Sequence, residues 1–284
     1  MKNKNTEPPT TAAETLPASS TPRPTSDQSG IATAAVTVGV TVGVVDHPGR
    51  VEWNDSTGRT RQAIVSKKVL DHELYAVPPT RTGNRYPGQR NYHGIGWFSN
   101  TNQQLWLESL TERTALLWLD FNYDIVSISS QPMKMFFPDG TVHFPDFLAL
   151  HSDGRQVVYN VKPAGLMNEK VTKQFANAAE LCARVGWSHQ VISTFEPAHI
   201  ANVEFLANYR NPMFRPSAEI HDQLLRIVTR PLPVIEVATA MTTAPANTAI
   251  STLYHLAWVG AIQLDLSRPL SNSTLIRKAH HAHA

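Results

Sequence analysis

Phe137-Pro-Asp-Gly-Thr-Val-His-Phe-Pro-Asp-Phe-Leu-Ala-Leu-His-Ser-Asp-Gly-Arg-Gln-Val-Val-Tyr-Asn-Val-Lys-Pro163 is the stretch on which the fold turns. It reads as two strands joined by a Ser152-Asp153-Gly154 turn, with a shorter strand before them behind Asp139-Gly140. Two polar residues break its apolar rhythm. Asp146 follows a proline and opens an apolar run, and Lys162 ends a run, Val157 to Val161, that should be buried. A lone carboxylate and a lone ammonium in sheet positions are costly unless paired or put to use.

Working outward, Gln131-Pro132 leads into a strand over Met133–Phe137. Downstream, Val171, Phe175, Ala178, Cys182 and Val185 form the buried stripe of a helix from about Glu169 to Val185, ended by Gly186. Ser188–Ser193 is a strand, and Pro197 starts a helix through Tyr209. Strand, helix, strand at this spacing predicts that the strand ending at Lys162 pairs parallel with 188–193. Upstream, Leu105, Glu112, Leu116 and Leu119 share one face of a helix predicted over Leu105–Phe121, with Glu108 one turn before Glu112. Glu112 thus stands where a core residue belongs; paired with Arg113 or solvent it would be an ordinary helix-end carboxylate.

Further out the chain changes character. Residues 1–30 hold 5 prolines and 10 Ser/Thr, a composition that cannot offset the entropy of ordering, so 1–33 is expected to be a disordered tail. Val36–Val45 alternates at period two, and with Val51-Glu52-Trp53 and Arg61–Val65 it predicts a small β-meander over 34–76. Residues 77–100 interleave Arg81, Arg85 and Arg90 with Tyr86, Tyr92 and Trp97 in a Gly/Pro-rich loop. That pattern suits phosphate clamping and base stacking, or a solvated connector. Beyond the Asn211-Pro212 boundary, helices near 217–228 and 247–259 flank a Pro-rich link, and a hairpin follows. That order suggests a winged-helix-like module over 213–278 with Arg268, Arg277 and Lys278 on its wing, or a plain packing element. Residues 279–284 read as a second tail.

The expected fold is therefore α/β: a mixed sheet flanked by helices over 77–212, with the meander before it and the C-terminal module after it. Composition agrees with a sizeable core, at 42% hydrophobic and 17% charged residues. A net charge of +2 does not by itself announce a nucleic-acid binder. The single cysteine, Cys182, excludes an internal disulfide framework and a cysteine-rich zinc site. No apolar run reaches the roughly 18–20 residues of a membrane span, and the first residues lack a signal-peptide core. A cytoplasmic protein without a membrane partner is expected.

No phosphate-binding Gly-x-x-x-x-Gly-Lys-Ser/Thr loop, His-Glu-x-x-His helix or Gly-x-Ser-x-Gly elbow is present. What remains is a carboxylate on a helix, an aspartate at a strand start and a lysine 16 residues later across a hairpin. Asn160 shares a strand face with Lys162, roughly 6.6 Å away. Converging carboxylates with a neutral oxygen suit Mg²⁺, and a nearby lysine can balance charge on a phosphoryl transition state.

Glu on a helix, then Pro-Asp, then Asp/Glu-x-Lys is the signature of the restriction-endonuclease-like nuclease superfamily, which this arrangement resembles. Glu108-Ser-Leu-Thr-Glu112-Arg, Leu119-Asp-Phe, Ser130-Gln-Pro, Pro138-Asp-Gly, Pro145-Asp-Phe, Asn160-Val-Lys-Pro, Val185-Gly-Trp and Asn208-Tyr-Arg resemble the TnsA-like endonuclease subunits of heteromeric transposases. So do Tyr86-Pro-Gly-Gln-Arg-Asn-Tyr upstream and His255-Leu-Ala-Trp-Val-Gly with Asp265-Leu-Ser-Arg-Pro-Leu downstream. The resemblance covers about residues 50–276.

It implies an endonuclease that nicks double-stranded DNA at transposon ends, working with an integrase-like transposase and an ATP-dependent regulator contacted through the C-terminal region. It implies Glu112 and Asp146 as Mg²⁺ ligands (Mn²⁺ substituting), the carbonyl of Val161 as a further ligand, and Lys162 as the catalytic lysine. Asn160 completes the catalytic set, with an amide where the superfamily has a carboxylate, and Glu108 is a secondary candidate. An Asn160→Asp change is then expected to tighten metal binding. Lys170 and Lys173 join Arg81, Arg85, Arg90, Tyr92, Arg268 and Arg277 as candidate DNA contacts. An idle DNA-binding adaptor and a stand-alone defence or repair nuclease remain open as alternatives.

Overall fold

The computed structural model describes residues 48–82, 93–241 and 246–279. The strand expected at 36–45 and both terminal tails lie outside them. The first elements are the antiparallel strands β1 (Arg50–Asn54) and β2 (Thr60–Ile64), joined through a turn in which Asp55 accepts the Thr57 and Arg59 amides. Two short 3-10 turns, Lys67–His72 and Leu74–Ala76, follow where strand was expected to end.

The helix expected from Leu105 starts five residues later. Gly94–Phe98 (β3), inside the stretch read as loop, pairs antiparallel with Gln103–Leu107 (β4). Leu105 and Leu107 alternate inward at period two, and only then does α1 (Leu110–Asn122) begin behind its N-cap Ser109. Gly96 is required by the crowding here: a Cβ would stand 2.7 Å from both Leu107 Cδ1 and Leu116 Cδ2.

Next come β5 (Ile125–Ser130), β6 (Lys134–Phe136), β7 (Val142–His143), β8 (Phe147–His151) and β9 (Gln156–Val161). β8 and β9 form the expected hairpin. Helix α2 (Glu169–Val185) is capped by Asn168 and stopped by Gly186 at φ 100°, a left-handed position natural to glycine. It crosses over to β10 (Ser188–Ile192), which pairs parallel with β9 as expected. The central sheet thus runs β10-β9-β8-β5.

β1 and β2 are not a free-standing meander. β1 also pairs with β6, and β6 with β7, giving a second sheet β2-β1-β6-β7. The physical reason is burial: Val51 and Trp53 share a core with Met135, Leu148 and Val158 and with Ala178, Leu181 and Cys182 of α2. The other face of the central sheet, Phe147, Ala149, Val157 and Tyr159, packs on Leu116 and Leu119 of α1 and on the β3–β4 hairpin.

After α3 (Pro197–Leu206), the C-terminal part contains α4 (Ala218–Ile227), β11 (Leu232–Pro233), α5 (Val234–Ala240), α6 (Ala246–Trp258), β12 (Ile262–Leu264) and β13 (Leu275–Lys278). The supposed Pro-rich link therefore carries a strand and a helix. These strands make an antiparallel sheet, β11-β13-β12, around Leu224, Val237, Leu253, Leu256 and Ile276. Helix α6 is covered on a second side as well, where Tyr254 and Trp258 pack with Leu117, Val203 and Leu206. Asn202 of α3 fastens the β12–β13 loop by bonding the Leu266 and Arg268 carbonyls and accepting the Leu270 amide. Among the described residues, no helix is long and apolar enough to cross a membrane.

Candidate active site

Asp146 immediately precedes β8 and Lys162 immediately follows β9, so the antiparallel hairpin brings them to one end of the central sheet. Both line a cleft of about 430 Å³, together with Arg81, His143, Phe144 and Gln174. The Asp146 backbone is held on both sides: its amide donates to the Tyr159 carbonyl (3.1 Å) and its carbonyl accepts the Gln131 amide (2.8 Å). Its Oδ2 accepts the Val161 amide at 2.6 Å. Lys162 is fixed through its backbone amide to the Ile192 carbonyl (2.9 Å), while among the described residues its ammonium has no partner.

Glu112, the third residue of α1, acts on Asp146 from behind the cleft, outside its lining, and sits in a capping box with the N-cap Ser109. Ser109 Oγ accepts the Glu112 amide (3.1 Å) and donates to Glu112 Oε1 (2.9 Å), and Oε2 accepts the Glu108 amide (2.8 Å). Glu108 therefore lies just before the helix, not one turn inside it. Its carboxylate pairs with Arg81 at 2.8 Å, and Arg81 also reaches Gln131 Oε1 (3.3 Å) and covers the Phe144 ring (4.4 Å).

The electrostatics follow from this crowding. Burial, above all, raises the Glu112 carboxyl, against the Glu108 and Ser109 hydrogen bonds. Burial and then the proximity of Glu112 push Asp146 up to about 8, against the Val161 hydrogen bond. Two carboxylates share a desolvated corner with too little positive charge to keep both ionised.

Asn160 behaves differently from its expected role. It is fully buried and absent from the cleft lining, and both ends of its amide are engaged. Oδ1 lies 2.6 Å from His143 Nε2, and Nδ2 lies 2.7 Å from His189 Nε2. Burial lowers both imidazoles to about 4, so both are neutral near pH 7. Sequence reading missed His143 and His189. The available signal was register: His143 stands two residues before Pro145, and His189 two before Val191, the β10 partner of Asn160.

Among the expected DNA contacts, Arg81 is at the cleft, while Arg85, Arg90 and Tyr92 lie outside the described residues. Lys170 and Lys173 are exposed on α2, whose Val171, Gln174 and Phe175 wall the cleft; Lys173 also pairs loosely with Asp139 (3.6 Å). Arg268 and Arg277 are exposed on the C-terminal module, away from the cleft lining.

The donor set fits a hard divalent cation in a limited way. Among the described residues no cluster of three or more His, Cys, Asp and Glu side chains could hold a metal. Glu112 and Asp146 supply two carboxylates whose mutual repulsion a cation would relieve, leaving further positions to a backbone carbonyl, water or phosphate. No protein-family model and no curated protein matches the chain.

Proposed function

We propose that this chain is a Mg²⁺-dependent DNA endonuclease with a restriction-endonuclease-like core, acting as the TnsA-like subunit of a heteromeric transposase. The observation that supports this most is the meeting of three elements at one sheet end. Asp146 stands just before β8 and Lys162 just after β9, both in the cleft, and Glu112 from α1 raises the Asp146 carboxyl. The C-terminal part is compatible with it: the two expected helices and the hairpin are present, with β11 and α5 in place of the expected Pro-rich link.

In this reading Glu112, Asp146 and the Val161 carbonyl would hold the cation. A divalent cation there would supply an acidified water and neutralise charge on the phosphoryl oxygens. Lys162 orients the attacking water and offsets charge that develops in the transition state. Arg81, braced by Glu108 and Phe144, grips a DNA phosphate at the cleft rim. Partners are double-stranded transposon ends, an integrase-like transposase and an ATP-dependent regulator.

One observation favours the alternative of an idle DNA-binding adaptor: both Glu112 oxygens already serve the helix cap. The deciding assay incubates the protein and its partner transposase with end-containing DNA and Mg²⁺ and maps the nicks. Loss of nicking in Asp146→Ala and Lys162→Ala is expected. Nicking at the wild-type rate in both would remove the site assignment.

A further inference from the structure

Of the expected catalytic set, Glu112 and Asn160 do not line the cleft, and the surroundings of the fully buried Asn160 say what it does instead. Strand β9 places it between His143 of β7 and His189 of β10, with bonds of 2.6 and 2.7 Å in a fully buried position. The bond pattern has a direction. An amide oxygen only accepts, so His143 Nε2 must carry a hydrogen. An amide nitrogen only donates, so His189 Nε2 must be bare, with its hydrogen on Nδ1. With its oxygen on His143, one amide therefore sets both tautomers, and the reversed amide would exchange the two roles. It also fixes two ring planes, with His143 set between Phe137 (stacked, 6.5 Å) and Phe175 (edge-on, 5.8 Å). His143 lines the cleft beside Asp146 and Lys162, while Asn160 and His189 stand behind it.

We propose that Asn160 is a positioning residue and not a metal ligand: it holds the cleft-lining imidazole of His143 in one tautomer and orientation, with His189 as the far anchor. This rests on the endonuclease reading for the reaction it serves, but not for the bridge itself. Turning the Asn160 oxygen toward a cation would break two short buried hydrogen bonds at once, which nothing in the cleft replaces. The proposal reverses the expectation for Asn160→Asp. A carboxylate at this position meets His189 Nε2 as an acceptor facing an acceptor, so that ring must turn or take up a proton before the site gains any charge for a metal.

The test uses the full chain and two independent readouts. Ring-nitrogen NMR of the wild type is expected to show a single state at each histidine, hydrogen on Nε2 of His143 and on Nδ1 of His189. In Asn160→Asp the His189 signal should move to the Nε2-protonated or doubly protonated form, while Mn²⁺ affinity by calorimetry stays near wild type. Asn160→Leu and His189→Gln should lower kcat for nicking about tenfold with KM little changed. A mixed tautomer population at His143 in the wild type overturns the proposal. So does a tenfold or larger gain in Mn²⁺ affinity in Asn160→Asp with both ring signals unmoved. Failure of the endonuclease reading is seen separately, as an Asp146→Ala variant that binds Mn²⁺ like the wild type.

Discussion

At Asp146, burial and a second carboxylate act in the same direction. Together they hold its carboxyl up to about 8, far above the ordinary aspartate value. Between about pH 4 and 8 the folded protein therefore keeps a proton that the unfolded chain has released. The contribution is fully present below about pH 4 and is lost as pH rises through about 8. In EDTA, Asp146→Asn should escape this loss and at pH 8 exceed the wild type in urea-denaturation stability by on the order of 1 kcal/mol or more. The gap should vanish near pH 4 and narrow when Mg²⁺ is added. Equal stability at both pH values would show that neither burial nor Glu112 raises the carboxyl. His143 and His189 act at the other end of the scale, since burial depresses them and stability falls as pH drops from about 6.5 toward 4. Asp146 and Lys162 were legible in the sequence because each interrupts an apolar run. The histidine bridge was not, because residues 143, 160 and 189 meet only through sheet register, which spacing along the chain does not encode.

Among the elements, α1 is the one whose role is divided, since Glu112 is both its capping residue and the proposed ligand. Glu112→Gln separates the two. A glutamine side-chain oxygen can still accept the Glu108 amide, so stability should stay within about 0.5 kcal/mol of wild type. Nicking, which needs the charge, should be lost. Retained nicking would leave Glu112 with the cap alone. The start of α1 was misjudged because Leu105 fits a helical stripe with Leu116 and Leu119, although Leu105 and Leu107 also fit a strand. Ser109-Leu-Thr-Glu112 was the better signal, a capping box that sets the first turn. Strand β3, the partner of β4, was hidden by glycines that resemble a loop, yet a Cβ at Gly96 would push against the side-chain ends of Leu107 and Leu116. Gly96→Ala should cost about 1–3 kcal/mol through overpacking, measured by the same urea titration, and a neutral effect would mean that Leu107 and Leu116 can move aside.

For the whole molecule, the arrangement of the C-terminal part constrains how DNA would be met under the proposed function. Under the proposed winged-helix-like reading, the third helix of this module, α6, would be the groove reader. Its Leu253 and Leu256 fill the module's own core, while Tyr254 and Trp258 fill the junction with α1 and α3. Trp258 is further tied by its indole N–H to Ser99 Oγ (2.9 Å) and by the Phe121 ring at 5.3 Å. The order of elements was partly readable from the sequence. The second covered side of α6 was not, because an apolar helix looks the same whether one or two partners bury it. Under the proposed function, DNA contact by this module would accordingly fall to the exposed β12–β13 side, where Arg268 and Arg277 stand. Arg268→Ala and Arg277→Ala should each reduce the slope of log affinity against log salt by about 1, with folding unchanged. Trp258→Ala should instead destabilise the protein by about 3–5 kcal/mol and weaken DNA binding only as far as the folded fraction falls. If α6 were the reader, loosening it from α1 and α3 would tighten binding, and the two arginine variants would leave the salt slope where it was. Fluorescence anisotropy on end-containing duplexes, across a salt series and below the variant's unfolding transition, tells these outcomes apart.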